Sequence, residues 1–176
     1  GDDPRAVVSN RAKLVEDLCL PSEPVWLEQV HSNKVICADD LAAGQSVQAD
    51  ASIASKQGVV CVVMTADCLP VFICNNAGTE VAVAHAGWRG LHAGIIANTV
   101  KAMNSSVDAL LVSLGPAIGA GEFEVGEDVL TAFVDKNSAN RSAFVSTTKG
   151  HYLCDIYQLA RTELRSIGVE KIAGGN

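Results

Sequence analysis

The sequence has no C-x-x-C pair, no apolar run approaching the length of a membrane helix, no excess of basic residues and no internal repeat. Each absence excludes something. The six cysteines, at 19, 37, 61, 68, 74 and 154, lack the short spacing of a zinc finger or a dithiol redox motif. All but Cys68 read as free thiols buried in a reducing compartment, which places the protein in the cytoplasm. A membrane helix needs about 18 consecutive apolar residues, and neither such a run nor a signal peptide is visible. Thirteen basic residues against twenty acidic ones give a net charge of −7, which argues against nucleic acid or an anionic membrane as partner. What is present is enough for a core. With 48% hydrophobic and 19% charged residues over 176 positions, the chain reads as one domain, 1–176. It opens at Gly1 and closes on Gly174-Gly175-Asn176, which reads as a piece of a longer frame lacking terminal segments. No oligomeric state is assigned.

Hydrophobic patterning predicts an α+β fold with mixed sheets, because short apolar runs come in series and helices are fewer. Residues 2–20 read as a helix capped by Asp2 or Asp3, with Pro4 in its first turn and Val7, Leu14, Val15 and Leu18 as its buried stripe. Val25 to His31 alternates like a strand that ends at His31, and Lys34 to Ala38 like a second. A polar loop, 39–50, leads to a small-residue strand near Ser52 to Ser55. Val59 to Met64 reads as a buried strand stopping at Asp67-Cys68, and Val81 to Ala84 as its neighbour stopping at His85-Ala86-Gly87. Leu91, Ile95, Ile96, Thr99, Val100 and Met103 share one helical face, with Gly87 and Gly90 turning into that helix. Then come a strand at Leu110 to Leu114, a helix opening at Gly126-Glu127-Asp128, and a hairpin pairing Phe144–Thr147 with Tyr152–Asp155. An amphipathic helix, Ile156 to Ile167, and a last strand from Val169 close the chain.

Two strands that stop at Asp-Cys and at His-Ala-Gly put a thiol and an imidazole at one sheet edge, where His31 can join them. His31, Cys68 and His85 are the candidate metal ligands: two histidines and a cysteine with one position open is the pattern of a catalytic zinc. Their separations of 37 and 17 residues are long, and spacing alone equally allows three unrelated polar residues at strand ends. Asp67 is a candidate catalytic residue, as a base or as the carboxylate orienting a ligand; the plainer reading is a turn cap. Arg89 and Gln29 are the candidate substrate contacts, Arg89 for an anionic group beside the helix N-terminus that follows Gly90, or else in a surface ion pair. Without a metal, Cys68 becomes a candidate nucleophile with His85 as its base. His92 and His151 read as solvated.

The motifs narrow these readings. Gln29-Val30-His31, Ala49-Asp50-Ala51, Thr65-Ala66-Asp67-Cys68-Leu69-Pro70, His85-Ala86-Gly87-Trp88-Arg89-Gly90, Gly115-Pro116-Ala117-Ile118-Gly119, Phe123-Glu124-Val125-Gly126 and Asp155-Ile156-Tyr157-Gln158-Leu159-Ala160 occur in this order. Together they closely resemble the laccase-domain family, also called multicopper polyphenol oxidases and, more recently, purine nucleoside phosphorylases. The resemblance implies that His31, Cys68 and His85 bind zinc. It also implies a layered α/β/β/α fold of duplicated motifs, related to bacterial cysteine-hydrolase toxins. The family pattern carries further segments before Gly1 and after Asn176, the latter with arginines that are natural phosphate ligands.

The activities the resemblance implies are phosphorolysis of adenosine, inosine and methylthioadenosine, and deamination of adenosine. Its small-molecule partners would then be purine nucleosides and phosphate. Hydrolytic editing of a peptidoglycan precursor uses the same zinc chemistry and stays open beside them, as does a metal-free Cys–His hydrolase. The polyphenol oxidase (laccase) label fits least. A multicopper oxidase needs many histidines in H-x-H pairs, and this chain has four histidines and no such pair, although a two-histidine, one-cysteine set also accepts a single copper.

Overall fold

The computed structural model describes residues 2–41 and 45–175. Helix α1 (Pro4–Asp17) is followed by strands β1 (Leu27–Glu28), β2 (Val35–Cys37), β3 (Val47–Gln48) and β4 (Ala51–Ala54). The centre of the chain holds β5 (Leu69–Asn75), β6 (Val81–Ala86), helices α2 (Trp88–His92) and α3 (Ile95–Ala102), and β7 (Leu110–Leu114). The last third holds β8 (Glu124–Gly126), α4 (Glu127–Lys136), β9 (Phe144–Ser146), β10 (His151–Cys154), α5 (Ile156–Ser166) and β11 (Ile172–Gly174). The main sheet runs β11-β7-β5-β6-β4-β2, with parallel pairs at its two edges and antiparallel pairs between. A small antiparallel sheet, β8-β10-β9, and the parallel pair β1-β3 complete the strands. The fold is the α+β arrangement with mixed sheets that the patterning predicts.

Alternation along the central strands explains which face carries the core. Val71 and Ile73 on β5, Ala82 and Ala84 on β6, and Val112 and Leu114 on β7 point to one side. There they pack with Leu91, Ile95 and Ile96 from the helices and with Leu159 and Leu164 of α5. Each large aliphatic side chain buried this way contributes about 1.5–3 kcal/mol. The opposite side chains, Phe72, Val81 and Leu111, are exposed and line an open apolar groove. The helical stretch after β6 is broken in two at Gly94, whose φ of 89° only glycine adopts readily.

Several expected elements differ, each for a physical reason. None of α1 is buried, and Leu18 is 61% exposed. The helix docks instead through Arg11, whose guanidinium lies 4.1 Å from the centre of the Trp26 ring. Val59 to Met64 is not a strand. It is held to the preceding segment by a bridge between Val25 and Cys61, with the Val25 N–H donating to the Val60 carbonyl, and by the Gln29 side chain at Met64. Cys68 therefore precedes a strand, β5, rather than ending one. The Val25–His31 strand shrinks to two residues, because its partner β3 offers only Val47 and Gln48 for pairing, and His31 itself has a left-handed backbone (φ 59°). Residues 42–44 of the expected 39–50 loop lie outside the described residues; the rest contains a 3-10 turn at Ala38–Asp40 and β3.

All six cysteines are free. Burial and the neighbouring Asp155 push the Cys154 thiol up to about 12, so it has almost no thiolate at pH 8. In the native protein Cys154 is expected to resist iodoacetamide at pH 8 while exposed Cys19 reacts, read by peptide mass spectrometry. Labelling of the two at equal rates would contradict the packing around β10.

Candidate metal centre

Three separate pieces of backbone deliver the site. His85 is the fifth residue of β6, with 4% of its surface exposed. Cys68 is the residue immediately before β5, the antiparallel neighbour of β6. His31 sits in the turn between β1 and β2. One ligating atom from each of the three lies within 4.8 Å of the others. The Cys68 sulfur is 3.7 Å from His31 Nε2, and the two imidazoles meet edge to face with centroids 4.8 Å apart. The three residues proposed from sequence thus converge on one point.

Asp50, immediately before β4, underlies both histidines. It is completely buried. Its Oδ1 accepts hydrogen bonds from His85 Nδ1 and from the His31 backbone N–H, both at 2.9 Å. Its Oδ2 accepts from the Ser32 N–H and hydroxyl, each at 2.7 Å, and from the Val30 N–H at 3.3 Å. Burial works to raise the Asp50 carboxyl, but the hydrogen bonds from His85, Ser32 and Val30 outweigh it and hold the group below the usual carboxylate range. With Nδ1 occupied, Nε2 is the His85 nitrogen left for a ligand bond, the arrangement that ligating histidines adopt. The sequence reading sought this orienting carboxylate at Asp67. Asp67 is instead exposed, and the signal for Asp50 was an acid between two alanines at the head of a buried small-residue strand.

The remaining proposed residues surround this centre. Burial raises the Cys68 thiol above its ordinary value; Asp67 and Asp50 raise it further, and Arg89 pulls it partly back. Without an ion the residue is therefore a thiol at neutral pH, and a soft cation is what converts it to thiolate. Arg89 is exposed and stacks on Trp88, 4.4 Å from the ring centre. Gln29 has both ends of its amide engaged: Nε2 donates to the Met64 carbonyl and Oε1 accepts from the Met64 N–H, each at 2.7 Å. That clamp holds the segment leading to Cys68. The Gly115–Ala117 loop plays a similar part. The Tyr157 hydroxyl accepts from the Ala117 N–H at 2.7 Å and donates to the Gly115 carbonyl at 3.1 Å. The next residue, Ile118, donates its N–H to the Asp67 carbonyl at 2.9 Å. Beside Cys68 opens a cleft of about 320 Å³, walled by Asp67, Trp88, Ile118, Phe123 and Glu124. Of the two histidines read as solvated, His151 is exposed 3.3 Å from Glu124, while His92 is half-buried against Phe133.

The donor set fits one borderline-soft ion such as zinc: two imidazoles and one thiol, with the Asp50 carboxylate fixing a ring. Among the described residues this is the group able to hold a metal.

The family model described as multi-copper polyphenol oxidoreductase laccase matches residues 1–176. The chain is 50% identical over 176 residues to purine nucleoside phosphorylase YfiH of Escherichia coli (strain K12), covering 100% of this chain and 72% of that protein. It is 51% identical to purine nucleoside phosphorylase PA4543 of Pseudomonas aeruginosa, over 99% of this chain and 70% of the relative. The crystal structure of Neisseria meningitidis protein NMB0706 superposes with a TM-score of 0.93 at 45% identity, covering 100% of this chain and 72% of that one. That of Bacillus licheniformis YfiH, at 24% identity, shares the fold with a TM-score of 0.91 over 99% of this chain and 72% of that one.

Proposed function

The chain belongs to the multi-copper polyphenol oxidoreductase laccase family, and from that premise we propose that it is a metal-dependent purine nucleoside phosphorylase. The observation that carries the proposal is the convergence of His31, Cys68 and His85 within 4.8 Å, in a chain half identical to relatives named for that activity. In phosphorolysis a phosphate oxygen bonds to C1′ of the ribose as the bond from C1′ to the base nitrogen breaks. The electron pair leaves with the base, which takes up a proton. Zinc, when bound, supplies a Lewis acid beside the reacting atoms.

The chain's own residues are assigned the rest. The cleft beside Cys68 takes the nucleoside, its purine against Trp88 and Phe123. Arg89 holds phosphate, as the cation whose charge acts on Cys68, and its stacking on Trp88 keeps its fork oriented. Asp67, exposed at the cleft wall, relays a proton from solvent water to the departing base. Gln29 positions the Met64 segment rather than contacting substrate. Burial together with Asp67 and Asp50 raises the Cys68 thiol and works against the metal-free Cys–His alternative, in which His85 would have to take that proton as the sulfur attacks. An oxidase with several coppers would require further ligand groups, and the described residues assemble one.

The test is product analysis. Purified zinc-loaded protein is incubated with inosine, adenosine or methylthioadenosine, with and without phosphate, beside Cys68→Ala. Phosphate-dependent release of free base is expected from the wild type and not from the variant, with ribose 1-phosphate as the second product from inosine or adenosine and 5-methylthioribose 1-phosphate from methylthioadenosine. Ammonia from adenosine without phosphate would report deamination at the same site. Base release by wild type and Cys68→Ala at equal rates would overturn the proposal.

A further inference from the structure

We infer that Asp50 is the positioning residue of the metal centre, one carboxylate that fixes the ring tautomer of His85 and the backbone turn presenting His31. The inference rests on the metal reading above, but its geometry stands in the chain itself. Asp50 is completely buried, and its two oxygens receive five hydrogen bonds. Both oxygens already face backbone N–H donors, His31 on Oδ1 and Val30 and Ser32 on Oδ2, so neither presents a proton to the ring. The 2.9 Å contact to His85 Nδ1 therefore places the ring proton on Nδ1 and leaves Nε2 with a bare lone pair. The backbone locks the same pair in register, because the His85 N–H donates to the Asp50 carbonyl at 2.7 Å.

The other half of the carboxylate's work is on His31. A left-handed histidine costs about 1–2 kcal/mol relative to an ordinary conformation. The turn is held because three successive N–H groups, from Val30, His31 and Ser32, converge on Asp50, in the manner of a backbone nest around an anion. That turn sets the His31 ring edge-on to His85 and brings Nε2 to 3.7 Å from the Cys68 sulfur. Both histidines thus hang from one buried group. The two do not share an element, and no sequence spacing relates them.

The isosteric amide separates this role from mere filling of space. In Asp50→Asn, an NH₂ at the Oδ2 position would oppose two backbone donors, those of Ser32 and Val30. Placed at the Oδ1 position it opposes one, that of His31. The second placement is the less costly, and it makes the amide donate to His85 Nδ1. The ring proton then moves to Nε2, the nitrogen facing His31 and Cys68.

Long-range ¹H–¹⁵N correlation spectra of metal-free, ¹⁵N-labelled protein read the tautomer directly, with four histidines to assign. We expect the His85 proton on Nδ1 in the wild type and on Nε2 in Asp50→Asn, with zinc affinity in competition with a chromophoric chelator lowered about 10–100-fold. A wild-type His85 carrying its proton on Nε2 overturns the inference, and that measurement needs no variant. Unchanged zinc affinity in a folded Asp50→Asn overturns it as well. Wild-type protein that takes no zinc from the chelator refutes the metal reading instead, and the tautomer pair still decides whether Asp50 sets His85.

Discussion

Replacing Cys68 with serine is expected to abolish metal binding and phosphorolysis together while the protein stays folded. Cys68 stands in the loop just before β5 and is only half-buried, so exchanging sulfur for oxygen removes little packing. What it removes is the soft ligand. A serine hydroxyl is not a thiolate, and the two imidazoles left behind hold zinc far less tightly. The loss of affinity should be on the order of 100-fold or more, beyond the range seen when only an outer partner of a ligand is lost. The same residue sets the pH dependence. Because the thiol is raised by burial and by Asp67 and Asp50, the ion must displace a proton to bind. Zinc affinity should therefore rise about tenfold per pH unit across the neutral range, and fall as the medium is acidified. Elemental analysis after dialysis, at two pH values, reads both effects. Zinc retained in Cys68→Ser with activity lost would move the chemistry to a cysteine nucleophile.

Gly87→Ala is the second large effect, and it arises from a single methyl group. A Cβ at this position would sit 2.8 Å from the Cys68 sulfur and 2.9 Å from Cδ2 of His31. Carbon does not approach either atom so closely without displacing it. The backbone is no obstacle, since Gly87 has φ −64° and ψ 159°, a conformation that alanine adopts freely. The substitution therefore acts on the site and hardly on the chain. We expect zinc affinity to drop at least about tenfold, with a stability cost of about 1–3 kcal/mol from overpacking. Gly119→Ala is the control, because its Cβ would meet nothing within 4 Å. Isothermal titration with zinc and thermal melts of the two variants separate the effects. Wild-type affinity in Gly87→Ala would show that the trio is looser than its geometry indicates.

Elements whose burial follows their own periodicity were legible in the sequence. Leu110 to Leu114, an apolar run read as a buried strand, forms β7, with alternate residues buried in the core. The hairpin around Lys149-Gly150 and the helix after Asp155 carry their turn and cap residues, with the Asp155 side chain accepting from the Gln158 N–H. Helix α1 was legible, with Asp3 as its cap and Pro4 in its first turn, but its packing was not, and neither was the fold at Val59–Met64. Apolar residues there are settled by contacts to other segments, Arg11 on Trp26 and Gln29 on Met64, and periodicity does not encode a partner. The ligands themselves were visible because imidazole and thiol announce their chemistry by type. Asp50 was not, since most of its partners are backbone N–H groups, which any sequence supplies. Gly87 stood in a recognisable motif, but its reason, room for a sulfur and a ring, exists only in three dimensions.

The central claim is that His31, Cys68 and His85 hold one ion on which turnover depends. Diffraction from zinc-soaked crystals, recorded on both sides of the zinc absorption edge, tests it most directly. The account predicts one strong anomalous peak at about 2.0–2.1 Å from His31 Nε2 and His85 Nε2 and about 2.3 Å from the Cys68 sulfur. Zinc bound elsewhere on the chain, with the three side chains in place and no peak between them, would contradict it.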